Sequence, residues 1–211
     1  TTGNIYEDSY PGCEYKRTLS TGGTWSKFIA WNKDKNLLAV SNWVSNNVSI
    51  IEYDTGKIKK IIPTGVAPRG ISFLSKGEEI LGACYDGGQI QKFQTSDGKK
   101  LSEYKVEKSA MRHIVLNSSE SKAYISDMYH FTTFEFDVKT FTVTRTWKVH
   151  NNPNTICLLN DRYLFVSSRG RNNPEDYTKR SPENGILTVI DVIDGKELLK
   201  VSGGNQPPGL D

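Results

Sequence analysis

Thr64-Gly65-Val66-Ala67-Pro68-Arg69-Gly70-Ile71-Ser72-Phe73 opens a stretch, Thr64 to Lys105, that reads as one complete structural unit. Turn residues precede an apolar run, and Ser75-Lys76-Gly77-Glu78-Glu79 turns the chain back. Three further runs follow, Ile80 to Cys84, Gln89 to Gln94 and Lys100 to Val106, separated by Asp86-Gly87-Gly88 and Ser96-Asp97-Gly98. Connections this short cannot return a strand parallel to its predecessor, so the four runs predict an antiparallel meander. A lone meander cannot bury both of its faces and must stack on copies of itself.

The copies are present. Ser26, Arg69, Arg112 and Thr155 stand at equal intervals of 43 at the openings of successive units. Four β-rich runs in a period of this length fit propeller blades, whereas helical repeats would need apolar faces of 3.6-residue period. Val48-Ser49-Ile50-Ile51-Glu52-Tyr53, Thr133-Phe134-Glu135-Phe136-Asp137 and Leu187-Thr188-Val189-Ile190-Asp191 read as three copies of the third strand. The expectation is an all-β fold, a β-propeller of four-stranded antiparallel blades with a repeat of about 43 residues, as a single domain over 1–211. Residues 1–20 read as the end of a preceding blade, 21–63, 64–106, 107–149 and 150–201 as four blades, and 202–211 as the start of a further one. The ring is expected to be incomplete within this stretch. The fourth blade carries a polar insertion, Arg169 to Gly185, ten residues beyond the period if Pro208-Gly209-Leu210 matches Arg69-Gly70-Ile71. It reads either as a mobile loop or as a recognition loop using Arg169, Arg171 or Tyr177.

Composition narrows the function. The net charge is +3 from 27 basic and 24 acidic residues, with no Lys/Arg block, which gives nucleic acid or an anionic membrane nothing to hold. No apolar run approaches the ~18 residues of a membrane helix, so no membrane insertion is expected. Thr1-Thr2-Gly3-Asn4 shows no signal-peptide pattern, consistent with export being absent or with a signal already removed. The three cysteines imply neither a disulfide framework nor a metal pair. Alignment places Cys84 with Ser41, Ser126 and Ser167 in second strands and Cys157 with Phe28, Ile71 and Ile114 in first strands, predicting that both are small buried residues. Cys13 falls in a loop.

Pro63 to Phe73 resembles the opening of the repeat of YVTN-family β-propellers, the type found in bacterial and archaeal surface and periplasmic proteins. Leu38-Ala39-Val40-Ser41-Asn42 stands where that family's name-giving tetrapeptide lies. Asn47 to Lys57 is similar to its third strand and following turn, and Gly204 to Leu210 to the start of another repeat. The third blade departs from the pattern: Lys108-Ser109-Ala110-Met111-Arg112-His113 lacks the Gly and Pro of the opening. The resemblance implies a propeller in a bacterial or archaeal binding or surface protein, in a periplasmic or extracellular setting. Repeat motifs of this kind encode blade geometry and not chemistry.

In a four-stranded meander, the loop that opens a blade and the loop between its second and third strands share one end of the sheet. This rule collects Trp43, Arg69, Tyr85, Asp86, Arg112, Asp127, Tyr129, His130, Arg169 and Arg171 as candidate ligand-binding residues, with Trp25, His113 and His150 in the opening loops. The other end receives ordinary turns such as Asp54-Thr55-Gly56-Lys57. Aromatic rings beside Arg, His and Asp suit a polar or anionic ligand or a partner peptide. The structural alternative is that the rings brace adjacent blades and the arginines neutralise turn carboxylates or carbonyls. His113, His130, His150, Asp86 and Asp127 contain metal-ligating types, but their scattered spacing assigns no metal site. No nucleophile elbow is present, and Gly22-Gly23 and Gly203-Gly204 read as turns because no helix follows them. The expectation is a non-catalytic propeller without a cofactor, binding a protein, peptide or glycan partner. The alternatives are an enzyme of lactonase or metal-hydrolase type and a purely structural blade array in a larger surface protein.

Overall fold

A computed structural model describes residues 2–207 and gives an all-β chain of four-stranded antiparallel sheets in series. The expected continuation at Pro208 lies outside the described residues. The chain divides into two compact units, Thr1–Val106 and Glu107–Asp211, and each is described by itself.

The first unit begins with a two-stranded sheet, β1 (Thr2–Asp8) and β2 (Tyr15–Thr24). A four-stranded meander follows: β3 (Ser26–Asn32), β4 (Leu37–Asn42), β5 (Asn47–Glu52) and β6 (Ile58–Pro63). A second meander comprises β7 (Pro68–Leu74), β8 (Glu79–Cys84), β9 (Gln89–Gln94) and β10 (Lys100–Lys105), with a 3-10 turn at Ser75–Gly77. The second unit repeats the arrangement with β11 (Met111–Leu116), β12 (Lys122–Asp127), β13 (Thr132–Asp137) and β14 (Thr142–Lys148). Its other sheet is β15 (Pro153–Leu159), β16 (Tyr163–Ser168), β17 (Ile186–Asp191) and β18 (Lys196–Ser202).

Alternation along each strand sends side chains to opposite faces, and both faces of the middle strands are covered. In β4, Leu38 and Val40 join Leu19 and Ile51 in one core, while Ala39 joins Val48, Ile50 and Ile62 against Ile71, Phe73, Ile80 and Phe93 of the next sheet. In the second unit, Tyr124 packs on Ile156, Leu164, Val166, Ile190 and Val192. Fourth strands carry little of this load, and β18 is exposed throughout. The two-stranded sheet is tied to β5 and its turn: Arg17 bonds Glu7 at 2.7 Å and lies 4.7 Å from the Tyr53 ring centre, and the Tyr53 hydroxyl donates to Glu7.

Every first strand has a register irregularity near its start, between Ser26 and Phe28, Pro68 and Ile71, Met111 and Ile114, and Pro153 and Ile156. Such a bulge turns a backbone group out of its own ladder. At two of the four, β7 and β15, a serine on the preceding sheet takes it up. The Ser41 hydroxyl accepts the Phe28 N–H and donates to the Arg69 carbonyl at 2.8 Å. Ser126 repeats this with the His113 N–H and the Asn154 carbonyl, again at 2.8 Å.

The strand pairings also correct the sequence alignment. Cys84 pairs with Pro68 as Asn42 pairs with Ser26 and Asp127 with Met111, so it matches those residues and not Ser41 or Ser126. It is buried as expected, and burial pushes its thiol up to about 12. Cys157 is only half-buried: the buried member of its column is Ile156, with Ile71 and Ile114. A one-residue slip moves a side chain to the other face.

Ser41→Ala and Ser126→Ala each leave a bulge carbonyl and an N–H without their hydroxyl partner, at a cost of about 1–3 kcal/mol in denaturant unfolding. Ser96→Ala, at an exposed turn, is expected to stay within about 0.5 kcal/mol of the parent.

Candidate functional site

The opening loop and the second-to-third loop of each sheet are joined by backbone. The carbonyls of Trp25, Ala67, Ala110 and Asn152 accept the N–H groups of Trp43, Tyr85, Met128 and Arg169. Trp25, Ala67 and Asn152 hold positive φ values of 60°, 57° and 57°. A tryptophan in that left-handed region is uncommon and is held there by its surroundings.

In the first unit these loops bring four candidates, Trp43, Arg69, Tyr85 and Asp86, to neighbouring loops. Trp43 packs on Tyr85 with ring centres 4.8 Å apart, and the Arg69 guanidinium lies 5.7 Å from the Trp43 ring centre. Two further residues complete the group. The Lys27 ammonium stands 4.1 Å from the ring centre of Trp25 and 5.5 Å from that of Trp43. Trp25 is 45% exposed, and Val44 and Val66 in the same loops are exposed as well. The result is three rings interleaved with two cations, each within cation–π range. Asp86 is exposed beside it. Lys27 was not among the sequence candidates: it stands at the β3 bulge, and strand alternation does not assign a bulged residue to a face.

In the second unit, Asp127 is buried and its carboxylate accepts the Ala110 and Tyr129 N–H groups at 2.7 and 3.0 Å. Its other oxygen lies 2.6 Å from His130 Nδ1. The pair orients the imidazole and leaves Nε2 as its outward nitrogen. Tyr129 is exposed and meets His130 edge to face at 5.0 Å. The Arg112 guanidinium lies 3.0 Å from Met128 Sδ. His113 is structural, its Nδ1 accepting the Ile156 N–H. Among the described residues, no three His, Cys, Asp or Glu side chains converge as metal ligands would.

The insertion occupies 169–185, between β16 and β17, and is anchored at its base. Asn152 donates to the Gly170 carbonyl, and Gly170 holds φ at +85°, a conformation that L side chains rarely adopt. Glu183 accepts from the Asn151 side chain at 2.8 Å and the Arg171 N–H at 2.7 Å, with His150 Nε2 at 3.4 Å. The Ser181 hydroxyl lies 2.6 Å from the Arg171 and Glu183 carbonyls, and Asn205 bonds both the N–H and the carbonyl of Ser181. Arg169 donates to Gln206, which in turn bonds the Lys179 carbonyl. Arg169 therefore holds the loop to the segment after β18, while the Arg171 side chain is 74% exposed. Tyr177 is also exposed.

Against models of known protein families the chain matches none. It is 34% identical over 210 residues to antigen Lp49 of Leptospira interrogans, an alignment covering 93% of this chain and 45% of that protein. The chain thus spans less than half the length of this curated relative. Among solved structures it is similar to hydrazine synthase of Kuenenia stuttgartiensis, with a TM-score of 0.78 and 15% identity over 96% of this chain and 60% of that one. It is also similar to the dihydro-heme d1 dehydrogenase NirN, with a TM-score of 0.70 and 17% identity over 99% of this chain and 44% of that one. These neighbours support a β-propeller, and at such identities they speak for the fold alone.

The insertion's anchor depends on charge. The Asn151 amide, then the Arg171 N–H and the nearby His150 and Arg171 charges, hold the Glu183 carboxyl below the usual glutamate range. A lowered folded-state value means the stabilisation is complete above the unfolded value of about 4.3 and disappears as pH falls through the lower folded value. Glu183→Gln is expected to lower Tm at pH 7, with the difference from the parent shrinking under acid. At neutral pH, trypsin is expected to cut the variant faster after Arg171, Lys179 or Arg180; equal cleavage would show that Glu183 is not the anchor.

Proposed function

We propose that this protein is a non-catalytic binding module that engages a protein, peptide or glycan partner through the loops that open its blades. The observation that carries this is the first unit's group of Trp25, Lys27, Trp43, Arg69 and Tyr85. Tryptophan, tyrosine and arginine are the side chains that dominate binding energy at interfaces, and here they stand on loops fixed by a sheet scaffold. The likeness to a bacterial protein named as an antigen supports a place at the cell surface or in the periplasm. The resemblance of the repeat openings to YVTN-family propellers points the same way. Among the described residues no helix is long and apolar enough to cross a membrane. One propeller domain over 1–211, with the blade boundaries read from the sequence, belongs to the same proposal; its support is that both solved structures match across nearly the whole chain.

A hydrolase of lactonase or metal-dependent type is the second reading, favoured by one observation: buried Asp127 orients His130 as a general base would be oriented. Lactone and ester hydrolysis that survives purification and disappears in His130→Ala would favour it over binding.

For the binding reading, labelled protein is applied to peptide and glycan arrays. The parent is expected to bind one of the two classes, and Trp25→Ala to lose about tenfold or more in affinity with an unchanged Tm, since a half-exposed ring contributes more to contact than to core. Equal binding by parent and variant would remove this site from the proposal.

A further inference from the structure

We infer that a groove between the two sheets of the second unit binds a small zwitterion, an amino acid or a dipeptide. Its carboxylate meets Arg145, its ammonium meets Asp161, and its side chain lies along Ile193. The groove is a different place from the loop group proposed above, and the inference does not rest on that role.

The two units differ at one place in the repeat. Each has a groove between its four-stranded sheets, at the end away from the opening loops. In the first unit it measures about 290 Å³, with Leu37, Ile50, Thr95 and Ser96 in its lining. In the second it measures about 350 Å³ and is lined by Asn117, Lys122, Tyr124, Arg145 and Asp161, with Val192 and Ile193. Ligand pockets begin at about 300 Å³. Leu37 and Lys122 each open a second strand, and Thr95 and Val192 each follow a third strand, so the two grooves are counterparts. Across the sheet, the paired row is Ala39, Ile50 and Lys60 in the first unit and Tyr124, Glu135 and Arg145 in the second. An Ala–Ile pair is enough to stack the sheets, so the carboxylate buried at Glu135 is not a demand of the fold. Burying a charge is costly unless it is paired.

Glu135 is paired completely. Lys122 Nζ lies 3.0 Å away, the Thr144 hydroxyl donates at 2.8 Å and the Tyr124 hydroxyl at 3.3 Å. These bonds fix the groove's inner wall and use up the Lys122 charge. Two charges are left over. Arg145 donates through Nη1 to the Val192 carbonyl at 2.7 Å, with the Ile193 carbonyl at 3.3 Å. Among the described residues no carboxylate lies within ion-pair distance of it, and Nε and Nη2 remain as the fork that meets a carboxylate side-on. Asp161 accepts the N–H and the hydroxyl of Ser118, which hold it in place, and no cation among the described residues pairs with it. Each of its oxygens has a second lone pair for a donor. Arg145 and Asp161 thus come from different sheets, border one groove and do not pair with each other. A simple anion would satisfy the first and be repelled by the second, whereas a molecule carrying both charges satisfies both. Ile193, exposed at the mouth, offers an apolar side chain a surface.

The test is isothermal titration calorimetry on the whole chain with L-leucine, glycyl-L-leucine, and the N-acetylated and C-amidated form of each. One of the two zwitterions is expected to bind, and the tighter one identifies amino acid or dipeptide as the source. Acetylation removes the ammonium and amidation the carboxylate, and each is expected to weaken that ligand about tenfold or more. In Arg145→Gln the free and amidated forms are expected to bind alike, and in Asp161→Asn the free and acetylated forms, a pattern that a purely structural role would not produce. Undiminished binding of the acetylated form to the parent would overturn the inference in favour of a simple anion, and of the amidated form in favour of a cation. Binding of neither zwitterion would overturn it outright, while the peptide and glycan arrays judge the loop group separately. Should a variant lose Tm, the six ligands on the parent protein still decide.

Discussion

The structure depends on a small exchange of hydrogen bonds at first-strand bulges, made once in each unit. Bulging lifts one backbone carbonyl out of the ladder, and an unpaired buried carbonyl is costly. Ser41 and Ser126 resolve this by accepting an N–H from their own sheet while donating to the bulge carbonyl of the next. Apolar packing between sheets is permissive, because a flat face of Ile, Val and Phe can slide with little change in buried area. A hydroxyl that must reach one carbonyl at 2.8 Å fixes the offset of one sheet on the next.

That offset reaches the candidate site directly. Ser41 holds the backbone of Arg69, whose side chain meets Trp43, and Trp43 follows Ser41 by two residues. The residue that staples the sheets thus sets the distance between a cation on one sheet and a ring on the other. The Trp43–Tyr85 contact spans the same pair of sheets, so Trp43 is both brace and surface. Trp25 and Lys27 belong to one strand and its opening loop, and they present contact area with less bearing on the stack.

How much was legible in the sequence follows from which interactions are local. Strand and turn order could be read from Asp-Gly turns and alternating runs, because a short turn decides its own geometry. The proximity of Trp43, Arg69 and Tyr85 could be read as well, since a meander brings alternate loops to one end. Cys84 and Cys157 could not be placed by counting, because the spacing of matched residues is not constant: 42 from Asn42 to Cys84, 43 from Cys84 to Asp127 and 42 from Ile114 to Ile156, and one residue reverses the face. The anchoring of the insertion was equally hidden. Its partners, Asn151, Asn205 and Gln206, lie outside the loop, and no local pattern marks an amide as the partner of a carboxylate more than thirty residues away.

The two loop sets differ in what they can do. In the first unit the charged groups sit on ring faces, a geometry that orders long side chains before any partner arrives and so lowers the entropy lost on binding. Nothing about it requires a bond to break. In the second unit the charge is a buried carboxylate, stabilised by two N–H groups and an imidazole, and only His130 and Tyr129 reach solvent from it. An oriented imidazole can accept a proton, but catalysis needs a nucleophile or a polarising group beside it. Asp127 also ties the opening loop to the loop after β12 through Ala110 and Tyr129, which is the place Asn42 holds in the first unit through Ser26. A side chain with a structural counterpart in another sheet is explained by the repeat. The left-handed backbone of Trp25 recurs at Ala67 and Asn152 and belongs to the repeat, but a large exposed ring at that position does not, and that difference is why binding is the stronger reading.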